Sequence, residues 1–577
     1  CVLEHAGKST SQKGKRPCQN VVINLPITTT PTKPQVLEGL FVDSGKVVAS
    51  DRNQVGGMTD IQECLVGKSR DIIFRDAMML EPKFYPEFLN PRAGFISQRV
   101  TSATGLCEQG ANGVNAALLF VGQVGREMME REAFQEMDFR QFFGEVSKWS
   151  AEIHDASRIP ELVSQAFHVA TSGRPGPVVL SLPEDMLRDL SGVGDARTYR
   201  TVQAHPGSVD MDKLRMMMAV AKRPVMMLGG GTWTPKAVAD IATFAKANGL
   251  PVCCSFRNQD RFDNYHDNYI GEVGIGSNPS LIERLSETDL FIAVGPRLGE
   301  QSTQGYTLLD IPVPQQPLVH VHPDPEELGR VYRSELPINA GMEAFSAAAA
   351  SMAPVDSAAW AKELVQARKD YLGYIEIQPT LGNLDLADVL RILREKLPKD
   401  TLIANDAGNF SGWAHRYLPF STYPSQVGPT NGAMGYGVPA ALTAALVFPE
   451  RTTICFVGDG GFLMASNELA TALQYKLKPI YLVINNGMFG TIRMHQERDY
   501  PGREVATSLR NPDFAAYANS FGAYGEIVEH AETFAAALDR ALAANTAAVL
   551  ELRTDPEAIN TKTTLSAIRD AALAKQK

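Results

Sequence analysis

The chain has 577 residues, too many for one hydrophobic core and enough for three domains of ordinary size. Charged residues make up 21% and apolar residues 44%, the balance of a globular protein rather than a disordered or fibrous one. A formal net charge of −10 argues against a general nucleic-acid binder, and no apolar run reaches the length of a membrane helix, so neither kind of partner is expected.

The chain starts with the basic residues Lys8, Lys13, Lys15 and Arg16 but has no apolar segment of the kind a secretory signal needs. Seven cysteines, odd in number and scattered without metal-ligand spacing, fit a reducing cytosol and a cytoplasmic location. Gly7-Lys8-Ser9-Thr10 and Gly67-Lys68-Ser69 resemble the end of a phosphate-binding P-loop, yet the leading glycine would fall on Val2 and Gln62, so neither is one. Residues 1 to about 115 are weakly periodic despite runs such as Val21-Val22-Ile23 and Ile72-Ile73-Phe74. Residues 177–182 read as a strand closed by Pro183 and end a first domain of residues 1–187. A middle domain, 190–350, carries strands at 224–228, running into Gly229-Gly230-Gly231, and at 289–294, running into Gly295-Pro296. That alternation predicts a Rossmann-like sheet, with the glycines as a tight turn rather than a dinucleotide fingerprint. The run Ala347-Ala348-Ala349-Ala350 followed by Pro354 reads as a helix end and linker, and a last domain covers 374–577.

The most informative stretch is 453–491. Residues 453–457 and 480–484 are apolar on both faces, as buried parallel strands are. Gly458-Asp459-Gly460-Gly461 follows the first and Asn485-Asn486 the second. Between them Ser466 is a predicted N-cap, and Leu469 and Leu473 share one helix face. A right-handed crossover would bring Asp459 and Asn486 to one crevice at the carboxyl ends of the strands. One carboxylate, one amide oxygen and a backbone carbonyl suit Mg²⁺ bridging to a diphosphate.

On these residues the chain resembles thiamine-diphosphate enzymes of the acetolactate synthase/pyruvate decarboxylase superfamily. Gly122-Gln123-Val124-Gly125-Arg126, Glu132-Ala133-Phe134-Gln135-Glu136 and residues 173–178 support the resemblance, as do Asn405-Asp406-Ala407-Gly408-Asn409 and Gly432-Ala433-Met434-Gly435-Tyr436-Gly437. The fold it implies is α/β, with three Rossmann-like parallel-sheet domains: pyrimidine-binding, central and diphosphate-binding. The implied metal ligands are Asp459, Asn486 and the Met488 carbonyl. Asn409, Gly460, Gly461, Gly490 and Thr491 would contact the diphosphate. The Gly432 carbonyl would accept a bond from the cofactor's exocyclic amine, and Met434 would lie beneath the bent cofactor. Phe134 and Gln135 would reach the reactive face from a neighbouring subunit, in a homodimer or homotetramer. The cofactors implied are thiamine diphosphate and Mg²⁺; related enzymes bind FAD in the middle domain, so FAD is a further candidate.

The resemblance also shows departures. The glutamate that activates the aminopyrimidine has no recognisable motif before Gly122, and no residue is assigned to that role. In acetolactate synthases an arginine grips the second keto acid where Gln301 stands here; their substrate-gripping tryptophan corresponds to His495, and a lysine to Glu184. Arg297 and Arg493 are the candidate replacements for the missing charge. The expected activity is a carboligase or lyase acting on a 2-keto acid or acyl donor. A simple non-oxidative 2-keto acid decarboxylase, or a cofactor-binding protein with little catalysis, are the alternatives.

Overall fold

The computed structural model describes residues 116–576. The expected position of the activating glutamate, the two P-loop echoes and the weakly periodic runs lie outside the described residues. The described residues fall into two compact units, 116–202 and 203–576.

The first unit holds a parallel sheet of β1 (Ala117–Gln123), β2 (Trp149–Glu152) and β3 (Pro177–Pro183), in the order β1-β3-β2. Pro183 belongs to the strand, as its last residue, where the missing N–H costs the ladder least. Helix α1 (Ile159–Thr171) packs Leu162, Val163, Ala166, Phe167 and Ala170 toward the sheet, one stripe at helical spacing.

The second unit contains two parallel sheets of six strands each. One comprises β4 (Pro224–Leu228), β5 (Val252–Ser255), β6 (Tyr269–Val273), β7 (Leu290–Val294), β8 (Leu318–His322) and β9 (Leu336–Asn339), ordered β6-β5-β4-β7-β8-β9. Strands β4, β5 and β7 are buried at every residue, which is why their sequences are apolar on both faces. The strand expected from Asp289 begins one residue later, because the Asp289 carboxylate accepts bonds from the Lys222 and Arg223 N–H groups at 2.7 and 2.8 Å. Gly230 has φ +71°, and a Cβ there would run into the Gly295 carbonyl, so the glycines make a close-packed turn.

The other sheet comprises β10 (Leu402–Asn405), β11 (Gln426–Val427), β12 (Thr453–Gly458), β13 (Ile480–Asn485), β14 (Tyr524–Val528) and β15 (Ala548–Arg553), ordered β11-β10-β12-β13-β15-β14. The chain steps from β10 outward to β11 and then back across to β12. The crevice between the ends of β10 and β12 is therefore the switch point at which open α/β sheets bind ligands. Helices α2 (Gly437–Val447), α3 (Asp459–Ala465), α4 (Glu468–Gln474) and α5 (Gly490–Asp499) surround it.

A polar segment joins the two sheets. Arg257, Asn258, Gln259, Asp260, Arg261 and Asn264, just after β5, are all buried. Asp260 accepts from the Ser425 and Gln426 N–H groups at 2.8 and 3.0 Å. Gln259 and Gln426 exchange two bonds of 2.8 and 2.9 Å, and Asn264 and Phe420 two of 2.7 and 2.9 Å. Buried polar groups are tolerated when paired in this way. Among the described residues Cys253, Cys254 and Cys455 are free and buried, and no helix is long and apolar enough to cross a membrane.

Candidate active site

Strands β12 and β13 run in register from Ile454↔Ile480 to Gly458↔Ile484, so Asp459 and Asn486 leave the sheet side by side. The Asp459 carboxylate accepts bonds from the Gly460 N–H at 2.8 Å, the Gly487 N–H at 3.0 Å and the Asn511 side-chain amide at 2.8 Å. Burial nonetheless holds its pKa above the ordinary carboxylate value. A cation at this carboxylate would favour its ionised form. Asn486 Oδ1 accepts from the Met488 N–H at 3.2 Å. The 487–490 turn is braced by a second segment, with Leu509 N–H on the Gly487 carbonyl at 2.8 Å and Phe489 N–H on the Thr507 carbonyl at 2.9 Å.

The helix after β12 starts at Asp459 itself, with Gly460 and Gly461 in its first turn. Ser466 is thus not an N-cap. It ends α3, its hydroxyl pairs with Tyr517 at 3.1 Å, and Asn467 stands at the N-cap of α4 without a capping bond. Because the glycines form helix rather than loop, the turn expected to end at Ser466 is already used.

The residue that organises the crevice is Asp406, at the end of β10. It is fully buried, and its carboxylate accepts from the Gly435, Tyr436 and Gly437 N–H groups at 3.0, 3.1 and 3.3 Å. Burial pushes its pKa up to about 6 against the pull of these amides. Gly461 faces the same carboxylate so closely that a Cβ would collide with Oδ2. One side chain thereby ties the Gly432–Gly437 motif to the first turn of α3. Asp406 stood inside a motif read from the sequence, but only its three amide partners, some thirty residues on, reveal its role. Asn511 was missed altogether; it bonds both Asp459 and Asn485, each at 2.8 Å, and no local pattern marks it.

Of the expected diphosphate contacts, Asn409 and Thr491 meet directly, the Thr491 hydroxyl donating to Asn409 Oδ1 at 2.9 Å. Gly490 is the first residue of α5. Gly432 is exposed with φ +75°, and Met434 is half-buried rather than a core side chain. In the first unit Phe134 is 80% exposed. It sits on a segment with left-handed backbone at Glu130, Glu132 and Gln135, held by the Glu136 carboxylate, which accepts the Glu130 and Ala133 N–H groups.

The residues expected to handle substrate are differently placed. Gln301 lies half-buried on a short 3₁₀ turn, His495 is half-buried on α5 and Glu184 is exposed. Arg493, on the same helix as His495, is enclosed rather than free in a pocket. It is buried and committed to Glu504, to Thr507 at 2.6 Å and to Ser508 at 2.9 Å. Glu497, on the same helix, is also buried and pairs with Arg569 at 2.6 Å. Arg297 pairs with Glu327 at 3.0 Å. Both candidate cations therefore already have carboxylate partners.

Among the described residues no group of three or more His, Cys, Asp and Glu side chains is arranged to hold a metal. A donor set of one carboxylate, one amide oxygen and a carbonyl is the one that fits here, and it suits a hard, oxygen-seeking cation that keeps other positions for phosphate and water.

Two family models match the chain: "Thiamine pyrophosphate enzyme, central domain" over residues 211–349, and "Thiamine pyrophosphate enzyme, C-terminal TPP binding domain" over residues 406–552. Among similar proteins, the acetolactate synthase large subunit of Corynebacterium glutamicum is 30% identical over 441 residues, 73% of this chain and 69% of that protein. Acetolactate synthase isozyme 2 large subunit of Escherichia coli is 28% identical, covering 77% of this chain and 83% of that protein. A probable acetolactate synthase large subunit of Methanocaldococcus jannaschii is also 28% identical, over 76% and 77% respectively.

Replacing Asp406 with alanine strands three buried N–H donors. At about 1–3 kcal/mol for an unsatisfied buried group, Asp406→Ala is expected to destabilise the chain by at least about 3 kcal/mol. Amide hydrogen exchange at Gly435, Tyr436 and Gly437 should accelerate; protection equal to the parent's would contradict the assigned role.

Proposed function

Because this chain belongs to the thiamine pyrophosphate enzyme family, we propose that it is a Mg²⁺-dependent carboligase or lyase that uses thiamine diphosphate on a 2-keto acid or acyl donor. The observation that carries the proposal is the pair Asp459 and Asn486 at the ends of adjacent parallel strands, beside the switch point of their sheet. Asp459, Asn486 and the Met488 carbonyl would hold the metal, and Asn409, Gly460, Gly461, Gly490 and Thr491 the diphosphate. The Gly432 carbonyl would accept the exocyclic amine, with Met434 beneath it; a half-buried methionine next to Gly435 at φ +80° suits a side chain kept free to meet a ligand. When bound, thiamine diphosphate supplies the electron sink on which an acyl group is carried; the protein supplies position and electrostatics. FAD is a further candidate cofactor for the middle domain, at a place other than the close-packed glycine turn after β4.

Calorimetric titration with thiamine diphosphate and Mg²⁺ tests the site. Asp459→Ala is expected to fold and to show no Mg²⁺-dependent heat of binding, and unchanged affinity would remove the central claim.

We extend the proposal to assembly as a homodimer or dimer of dimers. Phe134, large, apolar and 80% exposed on a strained segment, is suited to burial against a second copy. Light scattering on the purified chain is expected to give a dimer or tetramer; a fully active monomer would refute this.

The second substrate is the finer question. Gln301 can hydrogen-bond a carboxylate but lacks the charge and five-donor fork of a guanidinium. Arg297 and Arg493 are occupied by Glu327 and Glu504 and make poor substitutes. Loss of a charged hydrogen bond implies a roughly 10- to 150-fold weaker hold on a second keto acid. Fed pyruvate alone, the protein should form acetolactate poorly; fed pyruvate with an aldehyde, it should form the mixed acyloin better. Efficient acetolactate formation from pyruvate alone would overturn the substrate assignment.

A further inference from the structure

Arg257 is an expensive residue. It lies directly after β5, is only 4% exposed, and is left-handed at φ +58°, a backbone state that costs a non-glycine residue energy. Its N–H donates to the Glu272 carboxylate at 2.7 Å. Its guanidinium crosses to the other sheet of the unit, where Nη1 donates to the Pro429 carbonyl and Nη2 lies 3.4 Å from the Asp406 carbonyl. Its Nε is buried without a hydrogen-bond partner. Where the stem passes, a Cβ on Gly428 would come within 3.0 Å of Arg257 Cδ, so the chain there has been shaped around the arginine.

Joining the sheets does not explain this cost. The Asp260, Gln259 and Asn264 bonds to Ser425, Gln426 and Phe420 already do so, without the Arg257 charge. A buried charge pair is seldom the cheapest source of stability. Burial lowers the Arg257 pKa to about 10, opposed by the charges of Asp406 and then Glu272, and raises that of Glu272 to about 7, opposed by the Arg257 N–H bond and then by the Arg257 charge. The residues Arg257 does reach are specific. Pro429 lies three positions before Gly432, and Asp406 is the residue whose carboxylate holds the Gly435, Tyr436 and Gly437 amides. Arg257 thus fixes the entry of the 429–437 segment, and Asp406 fixes its exit.

We infer that Arg257, with its N–H anchored on the Glu272 carboxylate, is a positioning residue that sets the 429–437 segment from the neighbouring sheet and so holds the Gly432 carbonyl and Met434 in the form that receives the aminopyrimidine. The inference rests on the role given above to Gly432 and Met434. It adds a polar lever outside the cofactor-binding sheet, through which the order of one loop governs cofactor affinity.

The experiment compares the full-length parent, Arg257→Lys, and the double variant Arg257→Met/Glu272→Gln, which removes both charges at similar volume. Three quantities are read: the melting temperature, amide exchange of residues 428–437, and the dissociation constant for thiamine diphosphate in Mg²⁺. The double variant should melt close to the parent, exchange faster across 428–437, and bind thiamine diphosphate at least about 10-fold more weakly, the loss expected for a charged hydrogen bond. Arg257→Lys, which keeps the charge but can satisfy only part of the geometry, should fall between. Parental exchange and affinity in the double variant would overturn the inference, as would a drop in melting temperature with affinity unchanged, which would make Arg257 structural only. Asp459→Ala separates the two claims. If it abolishes binding while the double variant binds as the parent does, the inference falls and the cofactor site stands. If Asp459→Ala binds normally, the site itself is wrong, and exchange of 428–437 still decides what Arg257 holds.

Discussion

The site depends first on one buried carboxylate. Asp406 ends β10 and has no solvent; three backbone N–H groups from a single turn converge on it. Folding raises its pKa to about 6, so its contribution to stability is fully present below its ordinary value near 4 and is lost as the pH rises through 6. At neutral pH the fold therefore carries an ionised carboxylate at a cost, offset by those amides. What that cost secures is shape. The turn at 435–437 cannot drift from the end of β10, and α3 cannot approach unless position 461 is glycine.

Asp459, one strand away, is the same residue type with different partners. It too is held above its ordinary pKa by burial, and it also accepts three donors, two backbone N–H groups and one side-chain amide. Asp406 accepts its three bonds from one turn; Asp459 accepts from Gly460, from Gly487 and from Asn511, three separate segments. Adjacent strand ends thus provide two buried carboxylates whose settings differ in which amides each can reach.

Cationic side chains in this unit obey the same logic. Arg297 and Arg493 have each taken a carboxylate of this chain, Glu327 and Glu504. Arg257 reaches the 429–437 segment and points into backbone carbonyls. In the loop after β5, polar groups hold segments of chain against one another, with Gln259 and Asp260 bonded to Ser425 and Gln426.

The sequence by itself determined the strands at 224–228, 453–457 and 480–484 and the adjacency of the last two, which end just before Asp459 and Asn486. Apolar runs and glycine turns are local signals, and a parallel crossover leaves two adjacent strands little freedom in where their carboxyl ends lie. It also carried the family resemblance, from motifs spread along the chain. Tertiary structure alone decided the rest. Ser466 became a helix end because Gly460 and Gly461 entered the helix; Arg493 became a buried brace because Glu504 and Thr507 folded back onto it. The roles of Asp406, Asn511 and Arg257 rest on partners at 435–437, 459 and 429. Each is a polar side chain whose function is set by which distant backbone or carboxylate group reaches it. Hydrogen-bond geometry of that kind leaves no periodicity in the residues on either side.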